Sequence, residues 1–193
     1  LMAERDSRIN LLKRLVDHAW NTGRYNVYYG EGRDYYDTPE TRGRTSHESI
    51  FNVNNGDYRC PSTQQGYSPF STWTRGLSWA MCGYPEQLEF LETCSDEELD
   101  VAGGRKWIEG IYREAAMASC DFFINHTSSD GIPYWDTGAP DLAQLGEWWN
   151  KPADPYNGHE PVDSSAAAIG AQGLLRLGRY LDRHGEPEAG QRY

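Results

Sequence analysis

The densest group of chemically capable residues runs from Thr63 to Trp79. It reads Thr63-Gln64-Gln65-Gly66-Tyr67, then Ser71-Thr72-Trp73-Thr74-Arg75-Gly76-Leu77-Ser78-Trp79. On a helix starting at Ser71 or Thr72, the residues Thr72, Arg75 and Trp79 fall at i, i+3 and i+7. That spacing puts a hydroxyl, a guanidinium and an indole on one stripe. A guanidinium fork matches a carboxylate through paired hydrogen bonds. An indole offers a flat apolar face to a sugar ring. Gly66 and Gly76 permit close backbone approach. The same pattern also fits an arginine paired with an acid, among aromatics that belong to the core. Spacing alone leaves both readings open. His47, between Ser46 and Glu48 in a polar loop, could donate to a substrate oxygen or carry a proton; a solvated loop histidine is the plainer alternative.

Carboxylates supply the remaining candidates. Asp136, Asp141 and Asp163 could furnish an acid–base pair if their environments separated their proton affinities. The simpler expectations are a helix N-cap for Asp163 and an Asx-type turn for Asp136. Of the five histidines, His18 and His126 are expected at helix ends and His159 and His184 on the surface. None has metal-ligand spacing. Cys60, Cys82, Cys94 and Cys120 contain no CxxC pair and nothing that favours a disulfide. Nucleophile-elbow, phosphate-loop and dinucleotide motifs are absent. Asn125-His126-Thr127 is a formal glycosylation sequon.

The elements that must position these groups are helical. Ile9, Leu12, Leu15, Val16, Ala19 and Trp20 give an apolar face over 7–20, capped by Ser7 and stopped by Gly23. Tyr25–Tyr29 and Ser49–Val53 read as short strands around a long polar loop. A second helix begins near Ser71 or Thr72 and is expected to break or restart at Pro85. Ser95-Asp96-Glu97-Glu98 is a capping box. A third helix covers 105–125, with Trp107, Ile111, Ala115, Ala118 and Phe122 inward. After a proline-rich loop over 127–162, a fourth helix covers 163–183 with Ile169, Leu174, Leu177 and Leu181 inward. Helices joined by long loops suggest a bundle or a toroid of helical hairpins, the toroid opening its loops onto one face.

Composition narrows the classes. The chain has 193 residues and a formal charge of −11, which argues against nucleic acid as a partner. It does not exclude an anionic small substrate. No apolar run is long enough to span a bilayer.

Three motifs, in order, carry a resemblance. Gln65-Gly66-Tyr67 with Ser71-Thr72-Trp73-Thr74-Arg75-Gly76 and Trp79 resembles the unsaturated glucuronyl hydrolases of glycoside hydrolase family 88. Gly131-Ile132-Pro133-Tyr134-Trp135-Asp136 and Asp163-Ser164-Ser165-Ala166-Ala167-Ala168-Ile169 resemble two later segments of that family. The resemblance implies an all-α (α/α)6 toroid, of which this chain is a partial piece, and a single domain over 1–193 that is part of that barrel. It implies hydration of the C4=C5 bond of a terminal 4,5-unsaturated uronic acid on an oligosaccharide, with no metal or other cofactor. Protonation at C4 and water addition at C5 give a hemiketal that collapses to release the sugar. His47, Thr63, Gln65, Tyr67, Trp73, Arg75 and Trp79 match substrate-binding positions, Arg75 near the carboxylate and His47 as an auxiliary. Two departures stand out. Gln64 replaces a family histidine, and the family's two catalytic aspartates have no counterpart here. Leu1-Met2-Ala3-Glu4 resembles the end of the helix that follows one of them. The chain is therefore expected to be completed by more of the same polypeptide or by another chain, in a bacterial cytoplasm or periplasm. The alternatives are an unsaturated rhamnogalacturonyl hydrolase (family 105) and a non-catalytic carbohydrate-binding fragment.

Overall fold

The computed structural model describes residues 9–193. The expected cap Ser7 and the segment Leu1–Glu4 lie outside the described residues. Helix α1 is Leu11–Asn26, and its start is capped by Asn10, whose side chain accepts from Lys13 N at 3.0 Å. Gly23 does not stop it. It lies inside the helix because a side chain there would meet the hydroxyls of Tyr84 at 3.1 Å and Tyr29 at 3.3 Å. Its absent Cβ is thus a packing requirement. This lengthening absorbs Tyr25 and Asn26 into the helix and leaves only a bridge, Val27 to Thr45, where a strand was expected.

Strands β1 (Glu48–Phe51) and β2 (Tyr58–Ser62) form an antiparallel hairpin. Helix α2 (Thr74–Leu91) follows and passes straight through Pro85. Proline removes one amide donor, which leaves the carbonyl four residues earlier, at Met81, without its helical partner. The backbone of α5 (Ser164–Arg183) closes on that point: a Cβ on Gly173 would lie 2.5 Å from the Met81 oxygen. Only glycine lets the two helices approach so closely, with a Cα–H facing the freed carbonyl.

Ser95 and Glu98 form the expected capping box at α3 (Asp96–Asp100). Helix α4 is Arg105–Asn125. Ala115, Ala118 and Phe122 are buried as expected, and Ile111 packs against the core. The buried face also takes in Ile108, Tyr112, Ala116, Ser119 and Phe123, whereas Trp107 is 43% exposed and leans on Trp20 of α1. Helix α5 starts as expected, with Asp163 accepting from Ala166 N, and the short α6 (Pro187–Gly190) packs back on it.

The helices form two layers. α1 packs on α4, and α2 packs on both α4 and α5. The N-terminal ends of α2 and α5 meet at Arg75 and Asp163, and their later turns meet through Arg176 with Glu86 and Arg183 with Glu92. They therefore run parallel. α4 begins beside the end of α2, where Arg105 donates to the Leu91 and Cys94 carbonyls, and runs back. The core between the layers is Leu77, Met81, Leu88, Ile108, Tyr112, Leu177 and Leu181, each worth about 1.5–3 kcal/mol of apolar burial. Both long loops gather where α2 and α5 begin. No helix among the described residues is long and apolar enough to cross a membrane.

Two predictions follow from this packing. Gly173→Ala should lower the urea midpoint, costing about 2–4 kcal/mol through backbone overpacking. Gly110→Ala, where nothing lies within 4 Å, should instead gain about 0.5–1 kcal/mol of helix propensity. Burial pushes the phenols of Tyr29, Tyr84 and Tyr112 above their usual value, and that of Tyr58 up to about 12. The native state therefore holds protons that the unfolded chain releases near pH 10. Stability should be unaffected by these groups below that pH and fall as pH rises above it. Urea titrations with the same midpoint on both sides of pH 10 would contradict this.

Candidate functional site

The site begins with two loops joined by main-chain hydrogen bonds. Trp73 and Asp136 form an antiparallel bridge. Around it Thr74 N donates to Trp135 O at 3.1 Å, Thr137 N donates to Thr72 O at 2.9 Å, and Thr74 Oγ1 donates to Tyr134 O at 2.8 Å. The first of these bonds uses the leading backbone donor of α2, Thr74 N, and the helix has no side-chain cap. The expected caps are occupied elsewhere. Ser71 closes a turn with Ser68. The buried Thr72 hydroxyl donates to Thr45 O at 3.0 Å and accepts from Thr45 N at 3.2 Å. The expected stripe of Thr72, Arg75 and Trp79 is therefore not formed. Thr72 precedes the helix, and its hydroxyl serves the His47 loop.

Asp136 is fully buried, 0% exposed. Its Oδ2 accepts from Tyr67 N at 2.8 Å and its Oδ1 from Gly138 N at 2.9 Å. The second bond is the expected Asx turn. The first reaches across to the 63–67 loop. Gly66 is squeezed between Thr63, Asp136 and Trp73: a Cβ would lie 2.8 Å from Thr63 Oγ1 and 3.1 Å from Asp136 Oδ2. The close approach expected at Gly66 is thus the loop's own packing.

The indole of Trp73 lies over Gly76, where a Cβ would come within 2.8 Å of the ring. His47 meets the same indole edge-on, with ring centroids 4.9 Å apart. The guanidinium of Arg75 sits 5.8 Å from its centroid. The backbone amides of Gln64 and Gln65 donate to His47 Nδ1 at 3.1 and 3.3 Å. With Nδ1 accepting, the ring proton of the neutral imidazole belongs on Nε2, as assigned from this network.

These groups border a cavity of about 440 Å³ between α1 and α2. His47, Gln65, Trp73 and Trp79 line it, as do Thr45, Ser46, Gly76 and Ala80. Trp79 is 58% exposed. The other expected site residues lie outside the lining. Thr63 Oγ1 accepts from Gly66 N at 2.8 Å and holds the turn. Tyr67 contributes its amide to Asp136 while its side chain is exposed. Arg75 lies beside Trp73 and is bound to Asp163, Nε and Nη2 each 3.0 Å from Oδ2. The plain reading, an arginine paired with an acid, therefore describes part of what Arg75 does.

His18, Thr22 and Asn26 of α1, with Gly83 and Gln87 of α2, line the same cavity. Sequence reasoning missed them. Their spacing of four on α1 was a usable signal, but it was hidden by ending that helix at Gly23, which put His18 near a terminus. Gln87 Oε1 is buried with no hydrogen-bond partner among the described residues. No lining residue is an Asp or Glu. Of the three carboxylates weighed as an acid–base pair, Asp136 and Asp163 are committed to structural bonds, and Asp141 bonds Gln144 on the loop. Among the described residues no cluster of three or more His, Cys, Asp or Glu could hold a metal. All four cysteines are free, Cys60 exposed and Cys82 and Cys120 buried.

No family model matches the chain. It is 30% identical over 142 residues to the unsaturated glucuronyl hydrolase of Bacillus sp. strain GL1, a match covering 74% of this chain and 29% of that protein. It is 26% identical over 184 residues to an unsaturated glucuronyl hydrolase of Formosa agariphila, covering 92% of this chain and 38% of that one. This chain is a relative of the unsaturated glucuronyl hydrolases. It spans well under half the length of either. Solved structures agree on the fold. An unsaturated glucuronyl hydrolase variant with dGlcA-Glc-Rha-Glc superposes with a TM-score of 0.59 at 24% identity, over 93% of this chain and 38% of that one. The Bacillus sp. GL1 enzyme gives 0.57 at 23% identity, over 93% and 40%. The two layers of hairpins are thus a stretch of the (α/α)6 toroid of the unsaturated glucuronyl hydrolases.

Asp136→Ala should leave the Tyr67 and Gly138 amides without partners inside the protein, costing about 2–4 kcal/mol. Limited proteolysis should then cut between residues 63 and 68, where the wild type resists. An uncut loop in a folded variant would show that Asp136 does not hold it.

Proposed function

We propose that this chain supplies the sugar-binding part of an unsaturated glucuronyl hydrolase. The substrate is an oligosaccharide that ends in a 4,5-unsaturated uronic acid, and the reaction is hydration of its double bond. One observation carries the reading: the Trp73 indole meets the His47 imidazole, has the Arg75 guanidinium beside it, and with His47, Gln65 and Trp79 lines a cavity of about 440 Å³. An unsaturated uronate needs that set. Its flat ring stacks on indole, its hydroxyls take donors such as His47 Nε2–H and the Gln65 amide, and its carboxylate takes the fork of Arg75 one indole's width away.

The protons for the reaction come from outside residues 9–193 in this reading. The cavity wall offers no carboxylate to protonate C4. Ala80 and Gly83, on the α2 side of the cavity, leave room for another helix to bring one. More of the same polypeptide, or a completing chain, would fill that role. Both relatives are about two and a half times as long as this chain, from matches that cover 92% of it and 38% of one, and 74% of it and 29% of the other. The missing carboxylate equally favours a second reading for the chain by itself, a carbohydrate-binding unit without turnover.

Titrating the chain with an unsaturated uronic acid disaccharide separates these readings. Calorimetry should show saturable binding, and Trp79→Ala should weaken it about tenfold or more through the lost ring contact. Disappearance of the double-bond absorbance would mean that this chain also hydrates it. Binding with the absorbance unchanged would favour the binding unit. No binding by the folded chain would overturn the proposal.

A further inference from the structure

Asp163 does two things at once. Its Oδ1 accepts from Ala166 N at 2.8 Å, which caps α5. Its Oδ2 receives both Nε and Nη2 of Arg75 at 3.0 Å. The acid is almost wholly buried, its side chain 3% exposed, while that of Arg75 is 43% exposed. The carboxylate therefore sits behind the guanidinium and the solvent in front.

A guanidinium has two usable forks. The side fork is Nε with Nη2, and Asp163 takes it. The end fork is Nη1 with the second hydrogen of Nη2, and no described residue bonds to Nη1. We infer that Asp163 is a positioning residue, which fixes Arg75 by its side fork so that the end fork points outward as a ready-made receptor for a carboxylate. The inference rests on the proposed uronate site and adds how that site is built.

The physical argument compares two effects of Asp163. Its charge partly neutralises Arg75, which weakens attraction for an anion. Its grip removes the rotamer freedom of a long side chain, which a ligand would otherwise have to freeze. The grip prevails here for a geometric reason. The two carboxylates would lie on different edges of one cation, so the guanidinium stands between them, and the α5 N-terminus supplies a second positive partner to Asp163. A second bond ties the two helices beside it, Ser78 Oγ donating to Ala166 O at 2.9 Å. Arg75 is thus held on the frame that α2 and α5 make together.

Asparagine caps helices as well as aspartate does. Asp163→Asn therefore keeps the cap and loses the ionic grip, and Asp163→Ser does the same with a different side chain. The test titrates an unsaturated uronic acid disaccharide and its methyl ester into the wild-type chain and both variants, with Tm measured alongside. The wild type should prefer the acid. Both variants should keep a Tm near that of the wild type, bind the acid about tenfold more weakly, and bind the ester as the wild type does. A loss shared equally by acid and ester would mean that Asp163 only supports the fold. Variants that bind the acid as well as the wild type, or better, would overturn the inference while leaving the uronate site standing. A wild type that binds acid and ester alike would overturn the carboxylate reading of Arg75 and the inference with it.

Discussion

The bridge between Trp73 and Asp136 is the contact on which the site depends. It joins two loops that are more than sixty residues apart in the chain and have no strand of their own to align them. Main-chain bonds flank it on both sides, one of them from Thr74 N, the leading donor of α2. The helix therefore starts at a fixed place, and Trp73 leaves it at a fixed angle. Gly76 then lets the indole lie down on the helix, and the indole sets where His47 and Arg75 can be. The buried Asp136 carboxylate keeps the 63–67 loop on top of this arrangement. A buried charge without a cation is costly unless its lone pairs are filled, and here backbone amides fill them.

A second constraint works at the level of the helices. α2 and α5 approach backbone to backbone at Gly173 and Met81, with Pro85 leaving the carbonyl free. Their N-terminal ends are then clamped by Arg75 and Asp163, and their later turns by Arg176 and Arg183 with acids of α2. Parallel neighbours put both N-termini on one side, where the loops collect.

Much of this was legible in the sequence, and the failures have specific causes. The helices at 105–125 and 163–183, the capping box at Ser95 and the caps and turns of Asp163 and Asp136 follow from local rules, and local rules hold where the partner is a few residues away. Gly23 and Pro85 were misread because their local meaning, stop and break, is overridden by packing: Gly23 makes room for Tyr84, and Pro85 frees the Met81 carbonyl against which Gly173 packs. On α4 the expected inward residues hold except Trp107, which looks like core by type yet lies at the edge of the layer against Trp20. Of the residues that carry the family resemblance, His47, Gln65, Trp73 and Trp79 line one cavity. Spacing on an assumed helix misplaced Thr72, whose hydroxyl serves Thr45. The α1 wall of the cavity, His18, Thr22 and Asn26, could be found only with the full length of that helix in hand.

The most direct test of the central claim is a crystal structure of the chain with an unsaturated uronic acid disaccharide. The account predicts the uronate ring in the cavity bordered by His47, Gln65, Trp73 and Trp79, with its carboxylate on the end fork of Arg75 while Asp163 keeps the side fork. A ring bound away from Trp73, or a bound carboxylate that never reaches Arg75, would contradict it.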